Sequence, residues 1–540
     1  MKTIFNWFYK AYSYFKKHSD LIGYILLALL FVYIHVEIWN NLEASIQSDM
    51  SSELVLAKML AEQKRIITTD WFYSTELKVL HNTLIFAPLF WITDNWHIVR
   101  MASIIILNII MFLGFLYLAK KLEIKNIPWI GMLIVGPTSR GYYKDVTLGS
   151  HYIPDLVISF ITVGLLIDMF KSNNKNRKIV DFAIFLVLSF VSSLSGMRFV
   201  AVLHLPLLAT AVLYFILNQF KNLEKGKIDF NNEIVQLIIV CFIGFAVSYA
   251  GAYVNSHILP ARGYSYRMDG EVIYYKAFSF DSIGMIINGW LNMLGYQSDN
   301  LYVFSLHQLI LKPLFAVHFL IACWSAFDIL HNHKKYNKYE LFVALFFLTG
   351  GLIMNVLYTF TDTFFRDRYL MPVSIFTVFL IGVFFTHYKF DWQKWIMITF
   401  LTMFIVANTV FQIRYHVKND TYIELATVRD ILLENKCYNG YGMEHWESGH
   451  NLLTELSDGK IETWRFYDGD LDKVANWLQS KEHLWRKPTG KVYLIVTHVE
   501  LENNDIELKD GIDKYQKYED DTRILYIFDS YETLESYIES

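Results

Sequence analysis

Long apolar runs are the feature that most constrains how this chain can fold. From Leu21 to Asn40, and again from Trp96 to Ala119, apolar residues form runs close to the length that a helix needs to cross a bilayer, about 20 residues. The chain of 540 residues is 54% hydrophobic and only 19% charged, whereas about a quarter of residues are charged in typical soluble proteins. The sequence therefore predicts an α-helical, multi-pass membrane protein.

The runs predict eleven spans in residues 1–412, with a long first outer loop at 41–95. The spans are expected near 21–40, 96–119, 125–138, 152–170, 179–194, 199–219, 232–254, 304–330, 340–360, 369–387 and 394–412. From residue 413 the composition becomes that of a soluble protein. Helix-like stretches (TYIELATVRDILLE and DLDKVANWLQSK) and strand-like runs (KVYLIVTHVE and RILYIFD) predict a small α/β domain at 413–540.

Charge in the connections predicts the orientation in the membrane. Alternate connections are short and Lys-rich, such as KKLEIKN, KSNNKNRK and HNHKKYNK, and the positive-inside rule places them in the cytoplasm. The N-terminus is then cytoplasmic and the C-terminal domain extracytoplasmic, at the cell membrane. The net charge of −4 argues against nucleic acid as a partner. Three scattered cysteines provide neither a disulfide framework nor a metal-ligand spacing.

Charged residues collect near the predicted outer ends of the spans. They are Asp49, Glu53, Arg100, Lys144, Asp145, His151, Asp155, Arg198, Arg366 and Arg368. Guanidinium groups bind phosphate bidentately and keep their charge when partly buried, and a nearby carboxylate can act as a general base. The pattern predicts a cavity for an anionic ligand that is approached from the plane of the membrane.

A predicted helix in the first outer loop, SDMSSELVLAKMLAEQKR, carries two of these acids. At 100° per residue, Asp49 and Glu53 lie beside Leu56 and Leu60, on the apolar side. Simpler roles stay open at this point. Asp49 could cap the helix. Glu53 could be an acid of the first turn that the helix dipole stabilises.

Simpler roles are also open for the other charged residues. Arg100 and Arg198 could reach lipid head groups. His151 and Asp155 have the i,i+4 spacing of two metal ligands, but such pairs also occur as purely structural contacts.

The order of these elements resembles the GT-C glycosyltransferases, polytopic enzymes that take sugars from polyprenyl- or dolichyl-phosphate carriers. Asp49, Ala57 and Leu60 in DMSSELVLAKMLAE match the family's acid after the first span and the Ala-x-x-Leu helix that follows. Met50 stands where the family often has a second acid, so Glu53 is the next acid available.

Two further motifs carry the resemblance. WHIVRMAS is similar to the Arg-x-x-Ser opening of the second span, and RYLMP is similar to an Arg-Tyr-x-x-Pro element before a late span. The resemblance implies an inverting transfer of a sugar, a hexose or a pentose, from a polyprenyl-phosphate donor to a glycan, lipid or protein acceptor. A divalent metal is an option, because some members of the family use one.

The expected site follows from the charge pattern and the resemblance together. The catalytic residues are Asp49 and Glu53; the residues that bind the donor phosphate are Arg100, Lys144, Arg198, Arg366, Arg368 and Tyr369; and the metal ligands, if there is a metal, are His151 and Asp155. Three other functions compete with this one: a transporter or flippase of lipid-linked sugars, a polysaccharide polymerase or ligase, and a scaffold that displays the C-terminal domain. The sequence shows no internal repeat of the kind that transporters commonly have.

Overall fold

The apolar runs form a helical bundle, which precedes a C-terminal α/β domain. The computed structural model describes residues 2–223, 233–266, 274–296, 306–363, 365–419, 422–443, 449–467, 469–503 and 505–538. In the first part the helices are α1 (Lys2–Ser45), α2 (Ser48–Gln63), α3 (Thr83–Leu89), α4 (Trp96–Lys121), α5 (Ile127–Val135), α6 (Arg140–Tyr142), α7 (Ile153–Lys171), α8 (Lys175–Ser193), α9 (Leu205–Leu223), α10 (Glu233–Tyr253), α11 (Leu259–Ala261), α12 (Phe280–Met293), α13 (Leu306–His331), α14 (Lys338–Phe360), α15 (Met371–Ser374), α16 (Phe376–His387) and α17 (Asp391–Asn419). Short strands β1 (Trp71–Tyr73) and β2 (Ser265–Tyr266) lie between them.

Nine of the eleven predicted spans are confirmed as helices long and apolar enough to cross a membrane, counted over the described residues. The other two are α5 and α8. With 9 residues, α5 is only about 13 Å long at 1.5 Å per residue, less than half of a bilayer core. Polar residues open α8 (KNRK) and lower its mean hydropathy. The count of eleven crossings therefore stays a prediction.

Residues on either side of α5 nevertheless contact opposite ends of the bundle. Lys125, before α5, donates its backbone N–H to Thr386 at the end of α16, while Arg140 beyond α5 stacks on Tyr415 near the end of α17. The chain therefore passes from one end to the other through a helix that is interrupted after Val135. After α8, the Ser195 hydroxyl accepts from the backbone of the loop between α2 and α3.

The C-terminal domain contains helices and strands in one α/β unit. Its helices are α18 (Ile423–Glu434), α19 (His450–Leu456), α20 (His498–Glu502) and α21 (Tyr531–Glu535), and its strands are β3 (Asn439–Met443), β4 (Glu462–Tyr467), β5 (Asp470–Val474), β6 (Gln479–Ser480), β7 (Val492–Thr497), β8 (Gln516–Glu519) and β9 (Arg523–Phe528). Six strands form one sheet in the order β5-β4-β3-β7-β9-β8, in which β3 pairs in parallel with β4 and β7. The last span, α17, continues to Asn419, beyond the predicted boundary at 412.

Most of the predicted elements of this domain are confirmed. TYIELATVRDILLE contains α18, KVYLIVTHVE contains β7 and RILYIFD contains β9. The helix predicted in DLDKVANWLQSK is wrong: that segment forms β5 and β6. Pairing with β4 and β1 supplies hydrogen bonds that override its weak helical pattern.

Successive residues of β7 face two different cores, as the pleat of a strand requires. Tyr493 and Ile495 belong to the core that continues into the bundle, whereas Val492, Leu494 and Val496 belong to a second core within the domain. Helices α18 and α19 contribute buried leucines to the first core. The domain therefore packs directly against the bundle, and we name that end of the bundle the domain end.

Backbone pairing also joins the C-terminal domain to the first long loop. β1 pairs antiparallel with β6 and parallel with β2, so three segments far apart in sequence form one small sheet. The Asp70 carbonyl accepts from the backbone N–H of Lys481, and Asp458 accepts from the backbone N–H of Trp96 at the start of α4. The loop 41–95 and the C-terminal domain must therefore lie on the same side of a membrane.

This common side can be tested with single cysteines at exposed positions. Because hydrogen-bonded strands cannot lie on opposite sides of a bilayer, an impermeant maleimide should label Ile66→Cys and Asp510→Cys from the same side. It should label Asn173→Cys, in the connection before α8, only from the other side. The measurement uses right-side-out and inverted vesicles. Cys323 is replaced beforehand because it is exposed, whereas Cys241 and Cys437 are buried. Labelling of Ile66→Cys and Asp510→Cys from opposite sides would contradict the fold.

Candidate active site

The helix predicted after the first span is confirmed as α2, and it is buried between the bundle and the C-terminal domain. Leu56 and Leu60 face the interior, and Asp49 and Glu53 lie on the same side of the helix. Gln47 occupies the N-cap position and makes no side-chain cap bond. Asp49 is therefore not the helix cap, and its carboxylate is available for another role.

Glu53 meets two histidines at the domain end. Its carboxylate lies 2.9 Å from His81 Nε2 and 2.7 Å from His151 Nδ1, and the Asn82 amide donates to it. Burial alone would raise the pKa of Glu53, but the positive charges of the two nearby histidines hold it well below its ordinary value. Glu53 is therefore an ionised carboxylate in a polar recess.

A tight turn presents His151 to Glu53. It follows a π-helical segment, Tyr143–Leu148, and Ser150 adopts a left-handed conformation with φ 61°. A Cβ at Gly149 would lie 2.5 Å from the Lys144 carbonyl oxygen and 2.9 Å from the His151 ring, so only glycine fits there. Such strained turns and π-helical segments are frequent at functional sites.

Glu53, His81 and His151 fit a divalent metal in the type and spacing of their donor atoms. One ligand atom from each lies within 4.8 Å of the others. Two imidazoles and a carboxylate are a common protein ligand set for catalytic zinc. His81 Nε2 and His151 Nδ1 are buried, and neither has a hydrogen bond of good geometry to a described residue, despite their proximity to Glu53. Burial lowers the pKa of His81 against the attraction of Glu53, which favours the neutral imidazole that binds metals.

Asp49 lies one helical turn before Glu53, and no described residue donates a hydrogen bond to its carboxylate or forms an ion pair with it. Burial raises the pKa of Asp49 to about 6, opposed by the charges of His151 and Arg368. Arg465, from β4 of the C-terminal domain, is a further cation near Asp49. A carboxylate with a pKa near neutrality suits a general base.

Arg368 and Tyr369 lie at the start of the penultimate span, next to Asp49. Arg368 Nη1 is 3.2 Å from Asp145 Oδ1, and its guanidinium lies 5.8 Å from the centre of the Tyr369 ring. Arg368 Nε is buried and has no hydrogen-bond partner among the described residues. The guanidinium therefore keeps a donor that a bound oxyanion can use.

Arg198 also lies near the ring of Tyr369. Its guanidinium is 5.6 Å from the ring centre of Tyr369 and 5.5 Å from that of Tyr152. It pairs with Glu76 at 3.3 Å and with Asp155 at 3.9 Å. Asp155 therefore faces Arg198, while His151 faces Glu53, so the structure does not support Asp155 as the metal partner of His151. A buried carboxylate beside a guanidinium is satisfied without a metal.

Arg100 serves a different purpose from the predicted one. Its side chain is fully buried and binds Glu455 of α19 through Nε at 2.8 Å and Nη2 at 2.6 Å. Nη2 also donates to the Met50 carbonyl, at 2.8 Å. A phosphate would have to displace this bidentate carboxylate, so the prediction that Arg100 binds the donor phosphate is not supported.

The two remaining predicted phosphate ligands are Lys144 and Arg366, and no described contact joins either of them to Asp49 or Glu53. Lys144 is partly buried within the π-helical segment, two turns before His151. Arg366 is exposed, directly before the short helix that carries Arg368. Sequence patterns gave no sign of His81, Arg465, Glu76 or Glu455, because each acts through a partner distant in the chain.

Solved structures share this architecture, although no protein-family model matches the sequence and no curated protein matches it significantly. ArnT from Cupriavidus metallidurans in the apo state superposes with a TM-score of 0.56, covering 93% of this chain and 97% of that one at 9% identity. This is the GT-C fold. The same ArnT bound to undecaprenyl phosphate gives a TM-score of 0.53 at 8% identity, again over 93% of this chain and 97% of that one. At such low identity the GT-C likeness shows the fold alone, and it confirms the predicted fold class.

Metal content tests the cluster of Glu53, His81 and His151 independently of any activity. Purified protein incubated with Zn²⁺ and then desalted should retain about one ion per chain, because three protein ligands are typical of a catalytic zinc site. His81→Ala and His151→Ala should each lose it. His257→Ala removes an exposed histidine on the same side of the bundle and should keep it. Equal metal content in all four proteins, measured by mass spectrometry, would exclude this metal site.

Proposed function

We propose that this protein is a glycosyltransferase that moves a sugar from a polyprenyl-phosphate carrier to an acceptor at the extracytoplasmic side of the membrane. One observation carries the proposal. Asp49, a partly exposed carboxylate without a described hydrogen-bond donor, lies within electrostatic reach of the cations of Arg368 and Arg465 and of the imidazole of His151. The recess is located where the spans begin, so a ligand there can keep an apolar tail in lipid.

The shared fold supports this choice of donor. ArnT, which has the same fold over nearly the whole chain, has been solved with undecaprenyl phosphate bound. A polyprenyl phosphate places one small anion at the membrane surface and a long apolar chain in the bilayer. Two arginines of this chain lie near the ends of candidate spans, since Arg368 is the second residue of one and Arg198 lies two residues before another.

The chemistry that this site supports is a single inverting displacement. An acceptor hydroxyl attacks the anomeric carbon of the donor sugar as the bond from that carbon to the phosphate oxygen breaks. Asp49 accepts the hydroxyl proton. The leaving phosphate oxygen takes the bonding electron pair, and the Arg368 guanidinium stabilises its charge through the donor that remains unpaired.

The packing around the recess strengthens these interactions. The guanidiniums of Arg198 and Arg368 both lie within cation–π distance of the Tyr369 ring. Charge interactions are stronger where bulk water is excluded. Asp155 pairs with Arg198 and Asp145 pairs with Arg368, so these carboxylates orient both arginines before a ligand binds. A divalent ion held by Glu53, His81 and His151 would supply further positive charge near the phosphate.

The orientation completes the proposal. In the proposed orientation the recess and the C-terminal domain are extracytoplasmic, and the Lys-rich connections at the opposite end support it through the positive-inside rule. The transferred sugar is a hexose or a pentose, and the acceptor is a glycan, a lipid or a protein. A polymerase or ligase would use the same kind of donor and the same recess, and it differs only in the acceptor.

Asp49→Asn tests the proposed base. Release of polyprenyl phosphate is measured in proteoliposomes with a panel of synthetic polyprenyl-phosphate hexoses and pentoses. Loss of a general base lowers rates by about 10² to 10⁴, so kcat for the donor that reacts best should fall by at least about a hundredfold. Asn is nearly isosteric and neutral, so the variant should stay folded.

Asp94→Asn is the matched control, because Asp94 is an exposed acid in the same loop that pairs with Lys58 on the surface. It should leave kcat unchanged. Wild-type turnover in Asp49→Asn would remove Asp49 from the mechanism. No turnover of any polyprenyl-phosphate donor by the wild type would reject the proposed function itself.

A further inference from the structure

A fully buried ion pair joins the C-terminal domain to the bundle. The side chain of Arg100 on α4 is 0% exposed, and that of Glu455 on α19 is 4% exposed. The two hydrogen bonds between them, at 2.8 and 2.6 Å, form a bidentate contact. The Phe86 ring lies 5.1 Å from the guanidinium and closes the remaining side. Both charges are removed from water, so neither can be lost without leaving the other uncompensated.

The same guanidinium also holds the helix that carries the proposed base. Arg100 Nη2 donates to the carbonyl oxygen of Met50, which directly follows Asp49. A carbonyl oxygen has two lone pairs, so Met50 can accept from Arg100 as well as from its own helix. Because Glu455 fixes the plane of the guanidinium, it also fixes where this donor points.

A second contact from α19 reaches the next turn of α2. The Asn451 amide donates to Ser52 Oγ at 2.8 Å and to the Leu478 carbonyl at 2.7 Å. Ser52 directly precedes Glu53, and its hydroxyl donates in turn to the Ser48 carbonyl. Asn451 of α19 therefore contacts α2 directly beside Glu53, and Glu455 of α19 acts on α2 through Arg100, beside Asp49.

We propose that Glu455 and Asn451 are positioning residues, through which the C-terminal domain holds α2 so that Asp49 faces the cations of the recess. This inference rests on the proposed function in assigning a catalytic role to Asp49. The C-terminal domain is then a part of the active site, and its docking onto the bundle is required for turnover. The C-terminal domain then orients Asp49 toward the acceptor, whereas the bundle binds the donor through Arg368.

Other contacts between the C-terminal domain and the bundle do not position α2. Arg429 of α18 pairs with Glu43 of α1 at 3.3 Å, and the Glu43 side chain is 56% exposed. This pair also links the C-terminal domain to the bundle, but it touches neither Arg100 nor α2 in the described contacts. An exposed pair contributes little to stability. Glu43→Gln is therefore the matched control for Glu455→Gln.

The experiment uses the full-length protein in lipid nanodiscs with the polyprenyl-phosphate sugar that the wild type turns over best. A misplacement of about 1 Å can cost a hundredfold in rate, so Glu455→Gln should lower kcat by about ten- to a hundredfold with KM for the donor nearly unchanged. Asn451→Ala should have a smaller effect of the same kind. Glu43→Gln should leave both constants as in the wild type.

Hydrogen exchange measures the same coupling without a substrate. Amide exchange over residues 48–56 should rise by about tenfold in Glu455→Gln, whereas exchange in the distant helix α13 and in the Glu43→Gln control should not change. Unchanged exchange together with unchanged kcat in Glu455→Gln overturns the inference. If Glu455→Gln does not fold, Asn451→Ala decides by the same criteria.

Two failures can be told apart. If no polyprenyl-phosphate sugar is turned over by the wild type, the proposed function fails, and the exchange of residues 48–56 still decides whether Glu455 positions α2. If the wild type is active and Glu455→Gln raises KM alone, Glu455 acts on donor binding and its role in positioning Asp49 is rejected.

Discussion

The structure of the site depends on a simple electrostatic constraint: charge buried against a membrane bundle must be compensated by other charge or by hydrogen bonds. Most charged residues at the domain end satisfy this constraint, each with one or two partners. Arg100 faces Glu455, Arg198 faces Glu76 and Asp155, Arg368 faces Asp145, and Glu53 faces two histidines. Asp49 departs from the rule, since no described residue pairs with it, and this departure is what makes it the candidate for chemistry.

The same constraint explains why the C-terminal domain is docked and not tethered. Arg100 lies on the second predicted span, in a position that would be very costly for a charge alone. Glu455 removes that cost, but it can do so only when α19 is packed against α2. The membrane module and the domain therefore share one core and one ion pair, and the recess with Asp49 lies at their junction.

Local patterns in the sequence were sufficient for the elements that depend on local physics. The long apolar runs predicted the spans, and the 3.6-residue period predicted α2 with Asp49 and Glu53 on its buried side. The position of Arg368 before a span was also visible. What could not be predicted were the partners: Glu455 is 355 residues from Arg100, and no local pattern connects them. For the same reason the i,i+4 spacing points from His151 to Asp155, whereas the partner of His151 in space is Glu53. The helix predicted over the segment that forms β5 is wrong, because pairing with β4, a tertiary contact, determines the structure of that segment.

We propose that the recess beside Asp49 holds the phosphate of a polyprenyl carrier. A cryo-electron microscopy structure of the protein in nanodiscs with polyprenyl phosphate bound would test this directly. We expect the phosphate at hydrogen-bond distance from the Arg368 guanidinium, with the polyprenyl chain leaving the recess into the bilayer. A phosphate found near the middle of the bundle, away from Arg368 and Asp49, would reject this site and favour a transport path.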